Sequence, residues 1–218
     1  IKSINLLVDL TNYILLEQGQ PLHAFDKDKL SSLIGKEVSP NDFSVRKAKD
    51  NESLKCLDGK NYDLNENITI ITCCDKPVAI AGVIGGLETS VTNTTSSIYL
   101  EGAVFNPVTI RKSSREIGVR TESSSRYEKG ISSKNTIGAV TRAINLLEEY
   151  FPINLPIINT SNLINNEDVF IKLRRKRIHK ILGPLIINDQ LEKRNLSDTE
   201  IVDKLSLIHI SEPTRLGA

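Results

Sequence analysis

An α+β fold is predicted, with a mixed or antiparallel β-sheet core flanked by helices, and three observations predict it. An apolar run with helical spacing opens the chain. A β-rich stretch with turn residues between short runs fills the middle, and a strongly amphipathic helical stretch follows it. Helices and strands in segregated runs argue for an α+β domain.

Taken in order, SINLLVDLTNYILLEQG carries apolar residues at 7, 8, 10, 14, 15 and 16, and Gly19 with Pro21 beyond it predicts the helix end. HAFDKDKL reads as a short strand or turn. FSVRKAK alternates and predicts a strand. CLDGKNYDL predicts a hairpin turning at Asp58-Gly59. A strand is expected over 68–73, then a turn near Asp75-Lys76-Pro77 and a second strand running into glycines. SSIYLEGAVF predicts another strand. In NPVTIRKSSREIG an Asn cap and a Pro at the first position predict a helix. SSKNTIGAVTRAINLLEEYF, apolar at 137, 140, 144 and 147, predicts an amphipathic one.

Residues 153–168, rich in Asn and Pro, read as a linker closing a first domain at 1–152. The basic run after it opens a small helical domain over 169–204, expected to be truncated. LSLIHISEPTR resembles an in-frame translation of a sequencing adapter, so 205–218 is expected to be a non-native tail. With no initiator Met, the chain is expected to be a fragment of a longer protein.

Composition excludes more than it identifies. With 39% hydrophobic and 25% charged residues the chain is globular rather than disordered, and a net charge of +1 means that any nucleic-acid site must be a local patch. No apolar run approaches the roughly 20 residues of a membrane helix, so no membrane association is expected. The three cysteines, Cys56, Cys73 and Cys74, lack metal-ligand spacing and are expected to be reduced thiols in a cytoplasmic protein.

Five segments in register, VDLTNYILLEQGQPLHAFD, CLDG, PVAIAGVIGG, IYLEGAVFNPVTIRKSSREIG and RTESSSRYEKG, resemble the editing module of bacterial-type phenylalanyl-tRNA synthetase β subunits. The resemblance covers residues 4 to about 150, and IKLRRKRIHKILG is similar to the start of the family's next domain. It implies an (αβ)₂ heterotetramer with an α subunit, charging tRNA-Phe with ATP and Mg²⁺. The synthetic site lies in α, and no cofactor belongs to this fragment. The module here would hydrolyse the tyrosyl ester of mischarged tRNA-Phe. The alternatives are a non-catalytic module that docks tRNA or a subunit, and a free-standing editing protein.

The resemblance also assigns residues. Glu101 matches the reader of the tyrosine hydroxyl, and a carboxylate accepts a strong hydrogen bond from a phenol. His23, Thr11 and Asn12 match positions lining the same pocket. His23 either orients the ester or activates water, a task a ribose hydroxyl could perform instead. Ala81, Gly82 and Gly85 match one wall, where small residues let a ligand approach the backbone. Thr121 and Ser123 match the opposite wall, and Ser123 departs from the family's commoner alanine. Arg111, Lys112 and Arg115, with Arg120 and Arg126, could meet the tRNA acceptor end or form a solvated face. IKLRRKRIHK, with seven Lys, Arg or His in ten residues, could contact RNA or the α subunit or form a charged helix face.

Overall fold

The computed structural model describes residues 3–153, 174–187, 192–201 and 203. The chain divides into two compact units, Ile1–Ile164 and Asn165–Ala218. All but the first residue of the expected linker, and the whole expected tail, lie outside the described residues.

In the first unit, helix α1 (Leu6–Gln18) starts at Asn5, whose side chain caps Val8 N, and ends at Gly19 in the left-handed region, φ 71°. The Asn5 side chain satisfies one of the free N–H groups at the helix start, and Gly19 N–H bonds Leu15 O at the end. Strand β1 (Leu22–Asp26) follows. Helix α2 (Lys27–Ile34) comes next, where a strand or turn alone was expected: Asp26 ends the strand and caps Lys29 N, so one residue serves both elements.

Strands β2 (Phe43–Lys47), β3 (Ser53–Lys55), β4 (Asn61–Asp63), β5 (Thr69–Cys73), β6 (Lys76–Ile80) and β7 (Ile84–Gly85) come next. They form a four-stranded antiparallel sheet, β2-β5-β6-β7, and the β3-β4 hairpin. The hairpin turns at Asp58-Gly59 as expected, Gly59 having φ 81°. The β5–β6 turn falls on Cys74 and Asp75, both at positive φ, and not on Pro77. Pro77 lies inside β6 opposite Thr72, where the register shifts. A bulge tolerates a residue without an N–H.

Strand β8 (Ile98–Gly102) returns across the molecule to pair antiparallel with β1, with His23 opposite Glu101 and Phe25 opposite Tyr99. Helix α3 (Pro107–Glu116) begins at Asn106, whose Oδ1 accepts from Val108 N and Thr109 N. Helix α4 (Glu122–Tyr127) begins at a capping box made by Thr121 and Ser124. Helix α5 (Ser133–Tyr150) is the amphipathic helix expected from the sequence.

Alternation gives the β1–β8 ribbon two different faces. Leu22 and Leu100 pack with Ile14 of α1 and with Ala139 and Ala143 of α5. Phe25 and Tyr99 join the opposite cluster with Ile71, Val78, Ala79 and Ala81 of the sheet. The strand period of two therefore turns His23 and Glu101 toward the sheet side, away from α1 and α5.

The described part of the second unit holds helix α6 (Arg175–Leu182) and an antiparallel pair, β9 (Leu185–Ile187) with β10 (Glu192–Arg194). The strand pair adds to the helical unit that the sequence predicts there. No helix among the described residues is long and apolar enough to cross a membrane.

Candidate functional site

The site is built on the ribbon. Cross-strand pairing sets His23 directly opposite Glu101, two residues far apart in sequence. Both are half-buried, and their titrating groups are withdrawn from solvent. Burial holds the His23 imidazole down at about 4 and pushes the Glu101 carboxyl up to about 7. The imidazole is therefore neutral at pH 7, and the carboxyl is poised between its two forms. Neither has a hydrogen-bond partner among the described residues, and His23 Nε2 is fully shielded. The ring is held by packing instead: it stands edge-on to Phe25 at a centroid distance of 4.5 Å. A shielded polar atom without a partner, as at His23 Nε2, is costly to a fold, and a ligand can supply the partner.

The glycine loop after β6 forms the neighbouring wall. A Cβ at Gly85 would lie 2.7 Å from His23 Nε2 and closer still to Cε1, so only glycine fits beneath the imidazole. Leu57, in the β3–β4 turn, reaches the same point at 3.2 Å and donates its N–H to Gly85 O at 3.0 Å. Gly82, with φ 64°, faces Phe105 and Tyr127 rather than His23. Ala81 is wholly buried in the cluster containing Phe25. Thr121 donates its hydroxyl to Val83 O at 2.8 Å, tying the N-terminus of α4 to this loop. Ser123 follows in the first turn of α4, half-buried.

His23, Glu101 and Gly85 thus meet, and Thr121 braces the loop that carries Gly85. Thr11 and Asn12 stand apart in the contacts described. Both lie on α1, which packs through Ile14 and Leu10 on the Leu22–Leu100 face. Thr11 gives its hydroxyl back to Val8 O at 2.9 Å. Among the described residues no hydrogen bond joins either one to His23 or Glu101. Among the same residues no group of three or more His, Cys, Asp or Glu side chains could hold a metal ion.

A family model described as the B3/4 domain matches residues 1–152. The chain belongs to the B3/4 domain family. The chain is similar to a phenylalanine–tRNA ligase beta subunit of Prochlorococcus marinus (strain MIT 9312), 88% identical over 97% of this chain and 26% of its own length. A second, from P. marinus subsp. pastoris, is 73% identical over 95% of this chain and 26% of its own length. A third, from Synechococcus sp. (strain CC9902), is 42% identical over 85% of this chain and 23% of its own length. The chain spans about a quarter of the length of the curated relatives it matches.

Two residues of this B3/4 domain were not picked out from the sequence. Tyr127 is buried, and its phenol is pushed well above the usual range by burial and by the neighbouring Glu101 carboxyl. Gln20 is wholly buried in the turn before β1. Each sits inside a quoted motif, RTESSSRYEKG and EQGQP. The signal available was a large polar residue next to glycines or proline, which does not separate a buried hydrogen-bonder from a surface one.

A cleft of about 280 Å³ is lined by Gln18, Gln20, Arg126, Lys129, Ser132 and Asn135. Neither His23 nor Glu101 lines it. Arg111 donates to Glu128 O, Arg120 pairs with Glu128 and Arg126 with Glu122. Lys112 and Arg115 are exposed on α3 with no ion pair among the described residues.

Proposed function

We propose that this domain is the proofreading site of a phenylalanine–tRNA ligase β subunit and hydrolyses the tyrosyl ester of mischarged tRNA-Phe. The observation that carries the reading is Glu101 facing His23 across the ribbon, both without partners among the described residues, above a position where only glycine fits. A pocket that accepts phenylalanine rejects tyrosine by only about 10², because an added hydroxyl is weakly excluded from an apolar site. A second site with a desolvated acceptor reverses the preference, since phenylalanine would leave that acceptor unpaired. Glu101 supplies the acceptor in its ionised form. The neutral imidazole of His23 can orient the ester or take a proton from water. Gly85 leaves room beside it for the ester end, while Thr121 and Ser123 edge the ring.

The whole enzyme in this reading is a cytoplasmic (αβ)₂ ligase that attaches phenylalanine to tRNA-Phe, with ATP and Mg²⁺ acting in the α subunit. In the assembled enzyme, Glu101→Ala should lower hydrolysis of Tyr-tRNA-Phe at least tenfold and leave Phe charging within twofold, given that one buried charge-assisted hydrogen bond contributes about 1.5–3 kcal/mol. Unchanged Tyr-tRNA-Phe turnover sinks the reading. A tRNA-docking role without chemistry is supported by one observation, the unpaired Lys112 and Arg115 on α3. It predicts that Lys112→Ala with Arg115→Ala weakens tRNA binding while Glu101→Ala changes nothing.

A further inference from the structure

Two side chains from distant parts of the chain converge on the same pair of carbonyl oxygens. Gln20 Nε2 donates to Pro21 O and to Ala103 O, each at 3.0 Å. Tyr127 Oη shares its proton between the same two acceptors, at 3.3 Å and 3.2 Å. Gln20 Oε1 is itself held by the Thr136 hydroxyl at 3.0 Å. These carbonyls flank the end of the ribbon: Leu22 and Gly102 are its last pair, and Pro21 with Ala103 would be the next.

The ladder cannot continue there, because proline has no N–H to give Ala103 O. A carbonyl buried without a donor is costly, and the side chains supply what the backbone lacks. If the need were only to fill space, leucine would serve at position 20 without the desolvation of an amide. Tyr127 also touches the glycine loop, its Cδ2 lying 3.0 Å from where a Gly82 Cβ would be. Helix α4 therefore grips that loop at both ends, through Thr121 on Val83 and Tyr127 on Gly82.

We propose that Gln20 and Tyr127 are positioning residues that fix His23 against Glu101 and against the glycine loop by clamping the ribbon end two residues from each. The proposal rests on the proofreading reading. The clamp acts through geometry alone: neither residue is assigned contact with the ester, and a misplacement of about 1 Å can cost on the order of 10² in rate.

The test uses the assembled α and β subunits carrying Gln20→Leu or Tyr127→Phe, with Val38→Ala as a control in a core cluster that contains neither clamp residue. Both clamp variants should lower kcat for Tyr-tRNA-Phe hydrolysis about tenfold with KM within twofold, while Val38→Ala leaves both constants unchanged. Amide exchange should quicken in segments 22–26 and 98–102 and stay unchanged over 69–73. Unchanged kcat in both clamp variants overturns the proposal, as does an equal loss in the control or a loss confined to KM. If the unmodified enzyme hydrolyses no Tyr-tRNA-Phe, the proofreading reading fails, and exchange alone judges the clamp: unchanged rates over 22–26 and 98–102 in both variants overturn it.

Discussion

Replacing Glu101 with glutamine removes a buried carboxyl that ionises near neutrality, and the effect on stability should depend on pH in one direction only. The folded-state value of about 7 stands above the ordinary 4.5, so the folded chain holds this proton more tightly than the unfolded chain does. Below pH 4.5 both states are protonated and the carboxyl costs nothing. Between 4.5 and 7 the unfolded state gives up its proton first, and stability falls as pH rises. Above 7 the loss is complete, at about 1.4 kcal/mol per unit of difference, or roughly 3 kcal/mol in all. Glu101→Gln should therefore match the unmodified chain near pH 4.5 and exceed it by about 3 kcal/mol at pH 8.5. Urea unfolding at half-unit steps of pH measures this, and subtracting the two curves cancels the contribution of His23. A difference that is flat with pH, or that shrinks as pH rises, would refute a desolvated Glu101.

Three further outcomes are expected. Binding of a non-hydrolysable tyrosyl ester at pH 7 should release about half a proton, because the phenol selects the ionised form of a carboxyl that is about half protonated there; calorimetry in two buffers of different ionisation enthalpy reads it directly. Gly85→Ala places a methyl 2.7 Å from His23 Nε2, so Tyr-tRNA-Phe hydrolysis should fall at least tenfold as the ring is displaced, with circular dichroism reporting an intact fold. Thr121→Val removes the α4 cap and the bond to Val83 O and should cost about 1–2 kcal/mol in urea unfolding, whereas Thr121→Ser, which retains a hydroxyl, should cost less than half of that.

Local chemistry was legible in the sequence where it is self-contained. Gly19, Asp58-Gly59 and the Asn106-Pro107 pair each announce their turn or cap through their own residues, and the structure has all three. Helix α2 escaped notice because its cap, Asp26, is also the last residue of a strand, and eight residues are too few for a period to show. Pro77 was misplaced because a proline reads as a turn, and only the shifted pairing with Thr72 lets it sit in a strand. The family motifs put His23, Glu101 and the glycine loop together, yet residues alone could not show that His23 and Glu101 are direct cross-strand partners. That pairing is non-local, and no spacing encodes it. Gln20 and Tyr127 were hidden for a related reason: they bond backbone carbonyls, which leave no trace in side-chain pattern.

The β1–β8 ribbon also sets an order of events during synthesis. Its two strands are the first and last of the eight strands in the described part of the first unit, and the sheet β2-β5-β6-β7 is threaded between them as one long insertion. That sheet has its own antiparallel ladders and can close as soon as residue 85 is available. The ribbon must wait for residue 102, and its end can be fastened only when Tyr127 has followed. Non-local pairings of this kind are slow to form, since the loop must be closed before any contact rewards it. A nascent chain would therefore carry a finished sheet while His23 and Glu101 were still apart, and under the proposed function hydrolysis would be among the last properties the domain acquires.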